Sequence, residues 1–318
     1  MPADKPLLIG AYWYPWYGAD GRHWREGYRG TPLLGEYDSA DDDVIDQHIA
    51  WAVEYGVDFF AASWWGRDSF EDDVMHLRVP ESERARDFRF AILYESPGLL
   101  GVDNGKINLD DAAKRAKLVE DFVYLAETYF TQPYYLRVDD RPVVFLYLTR
   151  IFVGDVAATL DEVRAVVLDH TGQTLFIIGD EVYWQSPSRS RLLYYDGVTA
   201  YNMHTSVLGI ADGFAGKVTK QYEAWAYAAE KYGVTFVPDV MPGFDDTAVR
   251  PEAEHPPIPR SPELFETQLR DAFALADGEA RIVMITSWNE WHEDTSVEPA
   301  EEFGLVYLET LRDLRPKP

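Results

Sequence analysis

The stretch Arg281–Ala300, RIVMITSWNEWHEDTSVEPA, runs from an apolar strand pattern directly into a cluster of carboxylates, indoles and an imidazole. Glu290 and Glu293 stand three residues apart in this cluster. If the chain forms a helical turn after Trp288, this spacing places both carboxylates on one face, where two acids can address one small substrate. The stretch therefore predicts a strand that ends in an acid pair suited to acid/base chemistry.

Paired glutamates at a helix start can also be solvated charges that complement the helix dipole. The neighbours of this pair argue against that alternative, because Trp288, Asn289, Trp291 and His292 are poor choices for a solvated helix start. Their composition favours a site that binds a ring-shaped, hydroxylated molecule.

The periodicity of the rest of the chain alternates short apolar runs with longer amphipathic ones, which is typical of βα units. The predicted strands are Leu7–Tyr12, Val57–Ser63, Phe88–Tyr94, Val143–Leu148, Leu175–Gly179, Gly197–Tyr201, Thr235–Val240 and Arg281–Ser287. The predicted helices are Asp41–Tyr55, Phe70–Glu83, Leu109–Tyr129, Val156–His170, Ser188–Leu193, Gly216–Tyr232, Pro262–Ala276 and Phe303–Leu314. Eight such units in 318 residues predict an α/β protein whose residues 1–318 form a single (β/α)8 TIM barrel domain.

The connections also give the barrel a direction. Turns from helix into strand are short and contain glycine, whereas Pro15–Ala40, Glu95–Asn108 and Met241–Arg260 leave strands as long loops. Barrel enzymes build their sites from the loops at the carboxyl ends of the strands, so the long loops predict the face that carries the site.

Composition limits the classes of partner. The chain has 55 acidic and 29 basic residues, a formal charge of −26, which argues against nucleic acid and anionic membranes. The chain lacks cysteine, which excludes disulfides, thiolate nucleophiles and cysteine-ligated metals. No apolar run approaches ~18 residues and no signal segment begins the sequence, so we expect a soluble chain without membrane insertion, either cytoplasmic or exported with its signal removed. The oligomeric state is not predicted.

Aromatic and polar side chains collect at the predicted strand exits. The candidates for substrate binding are Tyr12, Tyr14, Trp16, Tyr17, His23, Trp24, Trp64, Trp65, Glu95, Tyr147, Glu181, Tyr201, Asn202, His204, Asp245, Trp288, Asn289 and His292. Many of the aromatic residues could instead fill the core, and an isolated glutamate at a strand end is often a salt-bridge partner. Carboxylates that recur at the same end of several strands are better explained by a site.

Two or more carboxylates among aromatic residues, without a phosphate-binding glycine loop, suggest glycoside hydrolysis. Metal-dependent hydrolysis is the competing class, because the chain has seven histidines. However, no His-x-His follows the first strand and no His-Glu-x-x-His occurs, so we expect no catalytic metal and no cofactor.

The run Trp288–Glu298, WNEWHEDTSVE, resembles the signature of glycoside hydrolase family 99, the endo-α-1,2-mannosidases and mannanases. The resemblance spans nearly the whole chain. It also covers Tyr12–Gly18, His23-Trp24, Leu34–Tyr37, Asp58–Gly66, Tyr94-Glu95, Tyr134–Tyr147 and Pro242–Arg250. It implies a (β/α)8 barrel that cleaves α-mannosides of an oligosaccharide or polysaccharide, acting within the chain and retaining the anomeric configuration.

The resemblance also implies roles for three glutamates. Glu290 deprotonates the sugar's own 2-hydroxyl, which attacks C1 to give a 1,2-anhydro sugar, and Glu293 acts first as acid and then as base. Glu95 resembles a family glutamate that binds the reacting sugar. Asp294 stands where the family often has Gly, and Trp288 where it often has Phe. A wider group with the Trp-Asn-Glu-Trp run, found beside polysaccharide-building enzymes, supplies the alternative of a glycan-processing or glycosyl-transferring protein with a different linkage.

Overall fold

The computed structural model describes residues 5–205, 210–252, 255–276 and 278–317, and its centre is a nearly closed barrel of parallel strands. The strands are β1 (Leu8–Trp13), β2 (Phe59–Trp64), β3 (Arg89–Tyr94), β4 (Arg141–Leu146), β5 (Phe176–Asp180), β6 (Gly197–Thr199), β7 (Thr235–Val237, continued by Asp239–Val240) and β8 (Ile282–Ile285). The (β/α)8 barrel predicted from the sequence is confirmed.

The barrel closes through the two parts of β7. Its first part pairs with β6 and its second part pairs with β8, while β1 lies between β8 and β2. All of these pairings are parallel, so the carboxyl ends of the eight strands meet at one rim. The residues that follow the strands are therefore brought together there.

The long helices lie between successive strands, except the last, which follows β8, in the order that βα periodicity predicts. They are Asp42–Tyr55, Ala112–Thr128, Val156–Thr171, Phe214–Tyr232, Pro262–Leu275 and Val306–Leu314, with a short helix Arg189–Leu192 after β5. Local sequence sets their ends: the Asp41 side chain accepts a hydrogen bond from the amide of Asp43, and Gly56 ends the same helix at φ 92°.

The connection from β2 to β3 differs from the predicted helix Phe70–Glu83. An α-helical turn, Phe70–Asp73, passes into a π-helical segment, Val74–Arg78, and then into a 3₁₀ turn, Val79–Glu81. Pro80 has no amide proton to continue a regular helix. Asp72 is also held in place, because its carboxylate accepts hydrogen bonds from Trp64 Nε1 and Tyr124 Oη, each at 2.7 Å.

The core has two layers, one inside the barrel and one between the strands and the helices. Phe59, Phe145 and Met284 belong to the inner layer, and Ile9 and Phe60 belong to the outer layer. No helix in the described ranges is long and apolar enough to cross a membrane.

Candidate active site

The segment after β8 is anchored by Asn289 beneath the mouth of the barrel. Its side-chain oxygen accepts from the Tyr14 amide at 2.7 Å, and its amide nitrogen donates to the Tyr14 carbonyl and to Tyr37 Oη, each at 3.0 Å. Tyr17 Oη donates to the Asn289 carbonyl at 3.0 Å. Asn289 and Tyr17 therefore fix the segment to the end of β1.

Glu290 caps the 3₁₀ turn Trp291–Glu293 that the sequence predicted after Trp288. Its amide donates to Ser287 Oγ at 2.8 Å, and its Oε1 accepts from the His292 amide at 3.0 Å. Burial raises the pKa of Glu290 well above its ordinary value, and the neighbouring charge of Glu293 raises it further. In the free protein this carboxyl therefore favours the protonated form.

Glu293 has the opposite electrostatic environment. Arg250 Nη1 donates to its Oε1 at 2.7 Å, and His204 Nε2 lies 3.7 Å from its Oε2. Burial raises the pKa of Glu293, but His204 and Arg250 outweigh burial and leave that pKa below its ordinary value. Asp245 holds the same residue through the backbone, because its amide donates to the Glu293 carbonyl at 2.8 Å.

Glu95 is the third carboxyl at the mouth, directly after β3, and is 4 % exposed. Ser63 Oγ donates to Glu95 Oε1 at 2.6 Å and accepts from Trp65 Nε1 at 2.9 Å. Burial raises the pKa of Glu95 to about 8. A neutral carboxyl can both donate and accept hydrogen bonds, as sugar hydroxyls require.

The mouth also carries hydroxyl and amide groups. The hydroxyls of Tyr14 and Tyr201 share a hydrogen bond, and Tyr147 Oη donates to Asn202 Oδ1 at 3.3 Å. Asn202 Nδ2 in turn donates to Asp180 Oδ2 at 3.0 Å, which orients the amide. These hydrogen bonds hold hydroxyl and amide groups at fixed positions at the mouth.

Aromatic rings form the wall beside these groups. Trp16 stacks on His23 with ring centroids 5.0 Å apart and an interplanar angle of 8°, and it lies 4.6 Å from Tyr14, 5.8 Å from His292 and 6.4 Å from Trp65. Trp65 is 39 % exposed. Such a wall can pack against the apolar faces of sugar rings.

Two tryptophans predicted to bind substrate lie in the core instead. Trp64 is fully buried and bonds to Asp72, because the last residue of β2 faces the helices. Trp288 is also fully buried, and its ring packs 4.9 Å from Phe60. The alternation of side chains along β2 places Trp64 on the outer face of the barrel, and Trp288, which follows β8, packs in the same outer layer.

Trp24 and Tyr12 are likewise packing residues, contrary to the sequence prediction. Trp24 stacks on Tyr17 with ring centroids 4.0 Å apart and donates from Nε1 to the Tyr37 carbonyl at 2.8 Å. Tyr12 is fully buried inside the barrel, where its ring packs 5.8 Å from Phe145. Trp24 supports the wall from behind, and Tyr12 fills the barrel interior.

Glu181 is the clearest correction to the predicted site. Its carboxylate is buried and pairs with Arg191 at 2.8 Å and with Thr149 Oγ1 at 3.3 Å. The neighbouring Asp180 is the residue that reaches Asn202. Side chains of adjacent residues point to opposite sides of a strand. To predict which of Asp180 and Glu181 faces the mouth therefore required the register of β5.

Arg250 was missed among the candidate residues. The only sequence signal was its position at the end of Pro242–Arg250, in the long loop after β7.

Among the described residues, His23, Glu26 and His292 could hold a metal ion. Burial lowers the pKa of His23, although the charge of Glu26 opposes that effect.

A (β/α)8 barrel with three buried carboxyls and an aromatic wall at its mouth has the features of a glycosidase-like enzyme. The chain belongs to the family described as Glycosyltransferase WbsX, which matches residues 30–311.

Endo-alpha-1,2-mannosidases and proteins like them are among the relatives of this chain. A glycoprotein endo-alpha-1,2-mannosidase-like protein of Mus musculus is 25 % identical, over 94 % of this chain and 72 % of the relative. WxcX of Xanthomonas campestris pv. campestris, an uncharacterised protein, is 24 % identical over 98 % of this chain and 50 % of its own length.

Two solved structures share the fold. A glycoside hydrolase-like protein has a TM-score of 0.81 at 21 % identity, with 100 % of this chain and 98 % of that chain covered. A GH99 endo-alpha-mannosidase from Bacteroides thetaiotaomicron has a TM-score of 0.71 at 20 % identity, with 96 % and 95 % covered.

Proposed function

We propose that this protein is a retaining glycoside hydrolase that cleaves α-1,2-type mannosidic linkages within a glycan or polysaccharide. The observation that carries the proposal is the position of Glu290 and Glu293 in one short turn at the mouth of the barrel. Two acids on the same turn can reach one edge of a sugar together. The similarity to endo-alpha-1,2-mannosidases supports the choice of substrate.

The first step of the proposed reaction uses the sugar as its own nucleophile. Glu290 takes the proton of the 2-hydroxyl, O2 forms a bond to C1, the glycosidic bond breaks, and Glu293 protonates the departing oxygen. The products are a 1,2-anhydro sugar and the shortened glycan. Glu95, which is buried beside Ser63, binds hydroxyls of the reacting sugar.

The second step restores both acids. Glu293 takes a proton from water, the water oxygen bonds to C1, the bond from C1 to O2 breaks, and O2 recovers its proton from Glu290. Each step inverts C1, so the two together retain its configuration.

The electrostatics of the free protein oppose these roles. The first step needs a proton on Glu293 and none on Glu290, whereas Arg250 and His204 favour ionised Glu293. Binding of the glycan therefore has to move the proton between the two acids. Displacement of Arg250 from Glu293 by the substrate favours that transfer.

The proposal is tested by product analysis with a panel of α-mannans and bacterial surface glycans. We expect a shortened glycan with a retained anomeric configuration, and turnover ~10²–10⁴-fold lower in both Glu290→Gln and Glu293→Gln, the range for loss of a general acid or base. Near wild-type activity in either variant would remove that residue from the mechanism.

A substrate with a fluoride leaving group separates the two roles, because fluoride departs without protonation. We expect substrates in which fluoride replaces the leaving sugar of an α-mannoside to restore the rate of the first step in Glu293→Gln but not in Glu290→Gln. Restoration in Glu290→Gln alone would exchange the two assignments. A glycosyl ester trapped on any carboxylate, seen by mass spectrometry of the denatured protein, would replace 2-hydroxyl participation by a direct nucleophile.

The description of the matching family, Glycosyltransferase WbsX, favours glycosyl transfer as the second candidate. In that case the acceptor in the second step is a sugar hydroxyl instead of water. Incubation with the same glycans and added oligosaccharide acceptors decides between them: products that contain the added acceptor indicate transfer, and shortened products without it indicate hydrolysis.

A further inference from the structure

Three potential metal ligands meet beside the candidate active site. They are His23, Glu26 and His292, each of which offers one ligand atom within 4.8 Å of those of the other two. His23 Nδ1 is 3.3 Å from Glu26 Oε2, and His292 Nε2 is 4.0 Å from the same oxygen. Two residues of the first long loop thus face one residue of the turn after β8.

His292 is oriented as a metal ligand. Its Nδ1 donates to the Gly27 carbonyl at 2.9 Å, which leaves the lone pair of Nε2 free to bind a cation. The His292 side chain is 6 % exposed, and its Nε2 has no hydrogen-bond partner among the described residues. A buried, unpartnered nitrogen directed at a carboxylate is costly unless a further group satisfies it.

His23 is held in place by ring stacking instead of a hydrogen bond. Its ring stacks on Trp16, and its Nδ1 is also buried without a hydrogen-bond partner in the described part of the chain. Glu26 Oε2 faces the two imidazoles, while Arg22 Nε lies 3.5 Å from Glu26 Oε1. One oxygen of the carboxylate is therefore directed at the histidines even though a nearby arginine competes for the other.

We propose that His23, Glu26 and His292 bind one divalent transition-metal ion, such as Zn²⁺. Two imidazoles and a carboxylate suit this class of cation, and Zn–N and Zn–O bonds of about 2.0–2.2 Å place tetrahedral ligand atoms about 3.3 Å apart. The distance from His23 to Glu26 already has this value, and the distance from His292 to Glu26 exceeds it by less than about 1 Å.

The fourth ligand of such an ion is water. His23 also lines a cavity of about 500 Å³ with Trp16, Arg22, Asp38 and Glu71, which gives solvent a route to the site. A bound ion connects the first long loop to the turn between Glu290 and Glu293. The proposed reaction uses no metal. Metal binding at this site is therefore a separate property, which does not depend on that reaction.

The test is metal binding by the full chain after treatment with a chelator. We expect isothermal titration with Zn²⁺ to give one equivalent per chain and Co²⁺ to give the visible absorption of a four-coordinate site. Affinity falls at least ~10-fold in His23→Gln and Glu26→Gln, and Zn²⁺ raises the Tm of the wild type more than that of either variant.

A matched control is His170→Gln, because His170 Nε2 lies 3.5 Å from Glu127 as a separate histidine–glutamate pair. We expect this variant to bind one equivalent of Zn²⁺ per chain with the affinity of the wild type. Absence of a stoichiometric site in the wild type, or equal affinity in wild type, His23→Gln and Glu26→Gln, would overturn the proposal. Circular dichroism of each variant verifies that a lost site does not reflect lost folding.

Discussion

At the scale of single residues, three glutamates at one mouth show how surroundings decide the behaviour of one side-chain type. Burial raises the pKa of Glu95 and Glu290, whereas Arg250 and His204 hold the pKa of Glu293 low. The raised pKa values favour a proton on Glu95 and on Glu290, and a protonated carboxyl can donate as well as accept hydrogen bonds. A row of three ionised acids could only accept.

The raised pKa of Glu95 predicts a specific dependence of stability on pH. Between pH 4.5 and about 8 the folded protein keeps a proton that the unfolded chain has released, so rising pH destabilises the fold through this group. We expect Glu95→Gln, which cannot ionise, to gain Tm relative to the wild type across this window. The gain is smallest below pH 4.5 and constant above about pH 8.

Thermal melts of both proteins across this range measure the difference. Comparison with the variant cancels the contributions of carboxyls that do not interact with Glu95. A difference in Tm that stays flat with pH, or that shrinks as pH rises, would show that Glu95 is ionised in the folded protein.

Glu181 is predicted to support the fold and not the substrate. Its carboxylate pairs with Arg191 and Thr149 away from Asn202. We expect Glu181→Gln to lower the free energy of unfolding by about 1–3 kcal/mol, the cost of weakening a buried charged hydrogen bond, with KM unchanged. Denaturant melts and steady-state kinetics measure the two effects.

The control for this prediction is Glu162→Gln, which weakens an exposed pair with Arg115. Exposed ion pairs contribute about 0–1 kcal/mol, so this variant is nearly neutral. A raised KM in Glu181→Gln with normal stability would return Glu181 to the list of substrate-binding residues.

At the scale of elements, the turn after β8 depends on a buried carboxylate behind it. Glu298 Oε2 accepts from Tyr37 Oη at 2.8 Å and Trp291 Nε1 at 3.1 Å, and its Oε1 accepts from His48 Nε2 at 3.0 Å. Trp13 Nε1 donates to His48 Nδ1, which leaves Nε2 as the donor to Glu298. This network fixes the indole that lies between the two proposed catalytic acids.

We therefore expect Glu298→Gln to affect both stability and turnover. Both oxygens of Glu298 accept hydrogen bonds, so the amide nitrogen of glutamine would face a donor in either orientation. This loss lowers the free energy of unfolding by about 1–3 kcal/mol. A shift of the turn by about 1 Å lowers kcat by up to ~10²-fold. The exposed Glu301→Gln is the control for both measurements, and an unchanged kcat in Glu298→Gln would show that the network does not position the acids.

The same element shows what the sequence can predict. The strand in Arg281–Ser287 and the helical turn after Trp288 follow from apolar patterning and residue spacing, and both are present. The helix boundaries were less accurate because single contacts set them. Leu109–Tyr129, for example, begins at Ala112, where Asp111 accepts hydrogen bonds from the first amides.

A position at the mouth of the barrel could be predicted where a residue follows a strand and faces inward. Glu95, Tyr147 and Asn202 lie at the mouth, whereas Trp64 and Trp288 point outward into the core. Exit position alone does not give the direction of a side chain, since one residue of register reverses it. Arg250 could not be placed from the sequence, because its contact with Glu293 joins two distant loops.

At the scale of the whole molecule, the chain has a formal net charge of −26, and the mouth of the barrel also carries acids. Such a field repels anionic polymers over about one Debye length, which is about 10 Å at 0.1 M salt. A neutral mannan feels no such force. The net charge therefore favours neutral glycans over anionic ones, a difference that the contacts at the mouth do not provide.

The final prediction is that added salt changes KM only for charged substrates. Between about 0.01 and 0.5 M NaCl, we expect KM for a neutral α-mannan to stay constant and KM for a glycan with carboxylate or phosphate groups to fall, because screening removes the repulsion. Initial rates at each salt concentration provide the measurement, and the neutral substrate controls for effects of salt on the fold. A KM that rises with salt for the anionic glycan would show that local cations, such as Arg29 and Arg250 near Asp245 and Glu293, dominate over the net charge.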